Sequence, residues 1–225
     1  KYKMRYKYCT AVLMLACALI FQHCKQAEKP APPDISAFFE KYYEERLSFY
    51  PMEATMFGNY KYNDKLYAQF TDSYQAKLKD FYARYLAEAE KIDRNSLSEK
   101  EKINYDDFIW QMKISLEGFQ YTTNYIPFEQ LGGLHLQFAQ AGSGTVIQPF
   151  ITVKDYDNWL QRMMAFGPLM DSAIVYYKKG LAIKYTLPQP LVKKLITQMQ
   201  SMATNDVTKS VFYQPVTNMP KDFPE

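Results

Sequence analysis

Histidine, glycine and cysteine are the scarce residues of this 225-residue chain. There are two histidines, His23 and His135, and no HExxH, CxxC or histidine cluster, so no recognisable metal-ligand spacing is present. Eight glycines stand against 20 tyrosines and 15 phenylalanines, which excludes a turn-dense all-β protein and any collagen-like or linker-like chain. No nucleophile elbow occurs: Ala141-Gly142-Ser143-Gly144 lacks the leading glycine. Gly142-Ser143-Gly144-Thr145 is no phosphate loop either, since it lacks the lysine and follows no clear strand. A formal net charge of +3 is too small to suggest nucleic-acid binding.

What is present is a hydrophobic share of 48%, enough for a real core, and an N-terminus that reads as an address. Lys1, Lys3, Arg5 and Lys7 form a basic n-region, and Thr10 to Phe21 is an apolar run of about a dozen residues. A bilayer-spanning helix needs roughly 20. Residues 1–23 are therefore expected to be a secretory signal. All three cysteines (Cys9, Cys17 and Cys24) lie in this region, and Cys24 is followed at once by the polar, proline-bearing stretch KQAEKPAPPD. That layout predicts lipidation of Cys24 and a polar linker over 24–33, although Ile20 to His23 match the small-residue lipobox poorly. Cys17 has Ala16 before it but more apolar sequence after it. A plain secretory signal and an uncleaved anchor are the alternatives. Loss of the four signal cations takes the 27 basic residues to 23 against 24 acidic ones, so the mature chain is near −1 and no nucleic-acid partner is expected.

From Asp34 onward the pattern is helical, and the fold class expected is all-α. A helix through FFEKYYEERLSFY, capped by Asp34 or Ser36, stops at Pro51, and a short second one ends at Gly58. Asn59 to Phe70 is a turn-rich connector. Phe70, Tyr74, Leu78, Phe81, Tyr85 and Ala89 share one face of a helix predicted to run to about Asp93. Ser98 and Glu101 form a capping box for the next, whose face is Tyr105, Phe108, Met112, Leu116 and Phe119. These two should pack antiparallel. Thr122 to Ile151 reads as one long loop holding four of the eight glycines. A further helix starts at Thr152, presents Tyr156, Trp159, Met163, Met170, Ile174, Tyr177 and Leu181 on one face, and is expected to kink or break at Pro168. Pro188 and Pro190 introduce another helix, and the aromatic tail from Ser210 should be extended. No fixed-period repeat is present.

Candidate chemistry is sparse. Glu40/Glu44, Asp106/Asp107 and Asp155/Asp157 fall on predicted helix faces or caps, where carboxylates are ordinarily solvated. His135, between Leu134 and Leu136, is either a base or substrate contact or a structural histidine. The long loop is where a ligand cleft is expected, with Gln130, Gly132, Gly133, His135 and Trp159 as candidate lining residues. No catalytic or metal residue is assigned.

The segments FFEKYYEERLSFYPMEATMFG, YIPFEQLGGLHLQFAQ, FITVKDYDNWLQRM, KKGLAIKYTLPQPLVKKLI and FYQPVTNMPKDFPE occur in order over about residues 35–225. Together they resemble the N-terminal part of the bacterial family called domain of unknown function 885 (DUF885). The resemblance implies a largely helical, gluzincin-like fold, similar to zinc-dependent peptidases of the thermolysin-like and carboxypeptidase Taq-like clan. It places the zinc-binding His-Glu helix in a C-terminal half that no position here matches, so zinc is implied for the full-length family and not for these residues. The expectation is an N-terminal fragment (34–225) of an exported peptidase-like lipoprotein, inactive without its missing C-terminal half. Such a chain would be membrane-anchored in the cell envelope, periplasmic or outer-membrane-attached, with a peptide-like substrate only at full length. Its helices would expose apolar surface that the other half covers. The alternatives are a helical envelope lipoprotein that binds a ligand or partner without catalysis, and a structural scaffold.

Overall fold

The computed structural model describes residues 34–144, 147–221 and 223. The expected signal, Cys24, the linker over 24–33, Thr145 and part of the closing segment lie outside the described residues.

Among the described residues there are eight α-helices, short 3-10 turns and no strand: α1 (Ile35–Phe49), α2 (Pro51–Met56), α3 (Asp72–Ala89), α4 (Glu99–Gly118), α5 (Leu134–Gly142), α6 (Val153–Ala182), α7 (Gln189–Met202) and α8 (Gln214–Thr217). The all-α expectation holds. No described helix is long and apolar enough to cross a membrane.

The α3–α4 pair is antiparallel: Glu90 at the end of α3 meets Lys113 at 3.9 Å, while Tyr82 a little over two turns earlier meets Phe119. The Ser98/Glu101 capping box forms as expected. α3 stops at Ala89, short of Asp93, because the Asp93 carboxylate accepts from Asn95 N–H and opens a 3-10 turn instead. Leu78, Phe81, Tyr85 and Ala89 bury against Phe108 and Met112, and α1 lays Phe38 and Tyr42 onto the same cluster. Tyr42 sits edge-on to Phe108 at 4.9 Å and stacks on Phe81 at 5.3 Å, geometries in which ring quadrupoles attract. Burial, with the Tyr82 hydroxyl nearby, pushes the Tyr42 phenol up to about 12.

The second core gathers around α5 and α6. The single long glycine-containing loop expected over 122–151 is not what forms, since its middle is the nine-residue helix α5. Leu134, Phe138 and Ala141 stand at helical spacing there, and Phe138 is sandwiched between Trp159 at 4.7 Å and Phe166 at 4.6 Å. The glycines flank this helix more than they interrupt it. Helix α6 differs from expectation in two ways. It runs unbroken through Pro168, whose missing N–H would have met the carbonyl of Met164, a residue 71% exposed, so water can take that bond. Its buried line is Trp159, Arg162, Leu169, Ala173, Tyr176 and Gly180, whereas Ile174 and Leu181 are exposed. At Gly180 the backbone oxygens of Tyr185 and Tyr125 come too close for a Cβ, a constraint that side-chain hydrophobicity does not register.

Arg162 is 0% exposed. Its Nε donates to Lys65 O at 3.0 Å, its Nη2 to Pro51 O, Thr55 Oγ1 and Tyr62 O, and its Nη1 to Gln148 Oε1. One guanidinium thus ties α2 and the 60–65 turn to α6. Burial lowers its pKa to about 10, with Asp64 opposing the shift.

The tail is not extended. Asp206 and Ser210 cap successive 3-10 turns through their side-chain oxygens, and Pro215 opens α8. Phe212 from this tail packs on Phe138 and Phe166.

Candidate ligand-binding cleft

An open cleft of about 750 Å³ is lined by α2, the 69–71 turn with the first turn of α3, and the segment leading into α5, together with Tyr185 and Leu187. Its apolar lining comes from Met52, Phe70, Phe128 and Leu134, and its polar lining from Glu53, Gln69, Gln75, Asn124, Glu129 and Gln137. Such a mixture, apolar walls with a few placed polar groups, suits a small ligand or a short chain segment.

Each wall has a local cause. Pro51 starts α2 and stands Glu53 on its first turn, where Arg46 holds it in a two-point ion pair. That pair raises the Arg46 pKa even though burial works against the charge. The Tyr50 hydroxyl, beside it, bonds to the Tyr82 hydroxyl at 2.8 Å, and burial together with Tyr82 pushes its phenol far up. The opposite wall hangs on α6: Tyr177 holds both backbone groups of Phe128, and Asn124 donates to Phe70 O at 3.1 Å.

Of the residues expected in the cleft, Gly132 and Gly133 line it. A Cβ on Gly133 would stand 2.5 Å from His135 Nδ1 and 3.2 Å from Phe128 Cβ, so glycine is a packing requirement there. Gln130 lends its carbonyl oxygen to Gln198 Nε2 at 3.0 Å. His135 and Trp159 are buried behind the wall, 0% and 4% exposed, and neither is among the lining residues. His135 packs on Phe128 at 5.2 Å, and neither ring nitrogen makes a hydrogen bond of ordinary geometry. Burial pushes its pKa down, with the nearby Gln198 side chain opposing.

Sequence reasoning missed the amide residues of the lining. The 122–151 stretch read as a loop, which hid the fact that Gln137 lies one helical turn after Gly133. Arg162 was missed as well; the signal that could have found it is the spacing of 3, 4 and 3 from Trp159 through Arg162 and Phe166 to Leu169, one helical face.

The carboxylate pairs sit as surface groups. Arg94 binds Asp106 at 2.7 Å, and Asp155 serves the Thr152 capping box. A second, almost wholly apolar groove of about 430 Å³ runs between the end of α6 and α7 past Leu181, Tyr185 and Ile196. Among the described residues no group of three or more His, Cys, Asp or Glu side chains could hold a metal ion, so they do not fit a zinc centre.

Comparison with curated proteins and with solved structures returns no match. The family model described as "Bacterial protein of unknown function (DUF885)" matches residues 51–225. That match takes in α2 to α8 and every lining residue of the cleft apart from Tyr50, and by it the chain belongs to the DUF885 family.

Proposed function

We propose that this chain supplies a peptide-binding cleft to an exported, lipid-anchored, peptidase-like protein. The observation that supports the reading is the cleft lining: four primary amide side chains ranged around an apolar floor. Primary amides both donate and accept, as peptide groups do, while Met52, Phe70, Phe128 and Leu134 offer contact to apolar side chains. Peptidase-like chemistry is carried over from the family resemblance alone. No hydrolytic step is assigned to these residues, and none is routed through zinc.

The test is a titration of a fluorescent apolar peptide with the full chain. Saturable binding is expected, and it should weaken in Met56→Trp, which fills the mouth of the cleft from a residue 52% exposed. Absence of saturable binding overturns the reading. Mass spectrometry of the recovered peptide separates capture from cleavage. The anchor is tested apart: the parent should partition with membranes and Cys24→Ser should be released, and equal partition of the two overturns lipidation.

A further inference from the structure

We infer that the cleft selects a ligand carrying a protonated amine. The inference rests on the peptide-binding reading and names the chemistry of its ligand. Three of the lining amides have their nitrogens committed to protein oxygens. Gln75 Nε2 donates to Gln69 O at 2.7 Å, Gln69 Nε2 to Phe49 O at 3.4 Å, and Asn124 Nδ2 to Phe70 O and Asp72 Oδ1, both at 3.1 Å. Only an NH₂ group can bond to a carbonyl or carboxylate oxygen, so these contacts decide which end of each amide is which. All three keep their oxygens; Asn124 has spent both N–H donors, while Gln69 and Gln75 each retain one.

Charge points the same way. None of the 19 lining residues is Lys, Arg or His, and two are glutamates. Glu53 is neutralised by Arg46, but Glu129 is exposed and makes no ion pair among the described residues. The cleft therefore offers three amide oxygens and one uncompensated carboxylate. An ammonium group, with three donors and no acceptor, matches that set of oxygens. A ligand carboxylate finds no lining cation.

The amine belongs to a peptide N-terminus or to a lysine side chain, and calorimetric titration of the full chain distinguishes them. The probes are one apolar tetrapeptide in four forms: free amine with C-terminal amide, N-acetylated with C-terminal amide, N-acetylated with an internal lysine and C-terminal amide, and N-acetylated with a free carboxylate. One or both amine-bearing forms should bind about tenfold tighter than the neutral form, and the anionic form should bind weakest. A preference for the first amine-bearing form identifies the terminus, and for the second the side chain. Glu129→Gln, at an exposed position, should reduce the preference about threefold, and added salt should reduce it in the parent. Equal binding of neutral and amine-bearing forms overturns this inference and leaves peptide binding standing. Failure of every form to bind overturns both.

Discussion

The Tyr177 hydroxyl donates to the Phe128 carbonyl oxygen at 2.8 Å and accepts from the Phe128 N–H at 3.1 Å. One side chain on α6 thus satisfies both backbone groups of a residue that lines the cleft. Tyr177→Phe keeps the ring and orphans both groups, so it should cost about 2 kcal/mol. Chemical denaturation should show the loss as a lower midpoint at unchanged slope. Peptide affinity should fall with it, because the wall carrying Phe128 loses its tie.

The end of α6 supplies a matched pair of tests. A Cβ at Gly180 would stand 2.6 Å from Tyr185 O and 3.0 Å from Tyr125 O, both backbone atoms. Gly180→Ala should destabilise by about 2 kcal/mol or more. Four residues on, Lys184 adopts φ 61° where Tyr185 N–H returns to Gly180 O and Lys184 N–H to Leu181 O, a Schellman ending with a non-glycine in the left-handed position. Lys184→Gly should stabilise by about 1 kcal/mol, read as a higher thermal midpoint.

Removing Arg162 strands the acceptors it serves. Arg162→Met fills much of the same space but leaves the carbonyls of Lys65 and Tyr62 without this donor, so about 3 kcal/mol or more should be lost. Arg162→Lys should rescue little of it, since a single ammonium cannot reach acceptors spread around a planar fork. Comparable stability of the lysine variant and the parent would contradict the role given to the fork.

His135 makes a pH prediction that the scarcity of histidine keeps clean. Its folded pKa lies below the ordinary 6.5, chiefly through burial. Below pH 6.5 the unfolded chain therefore binds a proton that the native chain refuses. Stability contributed by the neutral ring is present above that pH and is lost as pH falls toward the folded value. The slope is at most about 1.4 kcal/mol per pH unit. The shifted carboxylates Asp64, Asp72, Glu99, Asp106 and Asp206 all move downward, so they act below about pH 4.5. Between pH 4.5 and 6.5 the slope should be present in the parent and absent in His135→Leu. An unchanged slope in the variant would assign the effect elsewhere.

Much of the helical order follows from local rules, and these needed no tertiary partner. The capping boxes at Ser98/Glu101 and Thr152/Asp155, the stop at Pro51 and the stripe from Phe70 to Ala89 are each set by residues within a few positions of one another. Helix α5 escaped the same reading because four glycines dominate a short segment. Its stability comes from Phe138 lying between Trp159 and Phe166 of α6, not from local propensity.

The sequence by itself determined an all-α chain of the DUF885 type, with antiparallel long helices and a glycine-rich region worth inspecting. Only the tertiary structure decided which residues face the cleft. It buried His135 and Trp159 and brought Gln69, Gln75, Asn124, Glu129 and Gln137 together from separate stretches. It also turned α6 so that Ala173 and Gly180 point inward while Ile174 and Leu181 face out. The reason is physical. Periodicity records which side chains are apolar, whereas the fold also selects for how closely backbones can approach and where each buried polar group finds its partner.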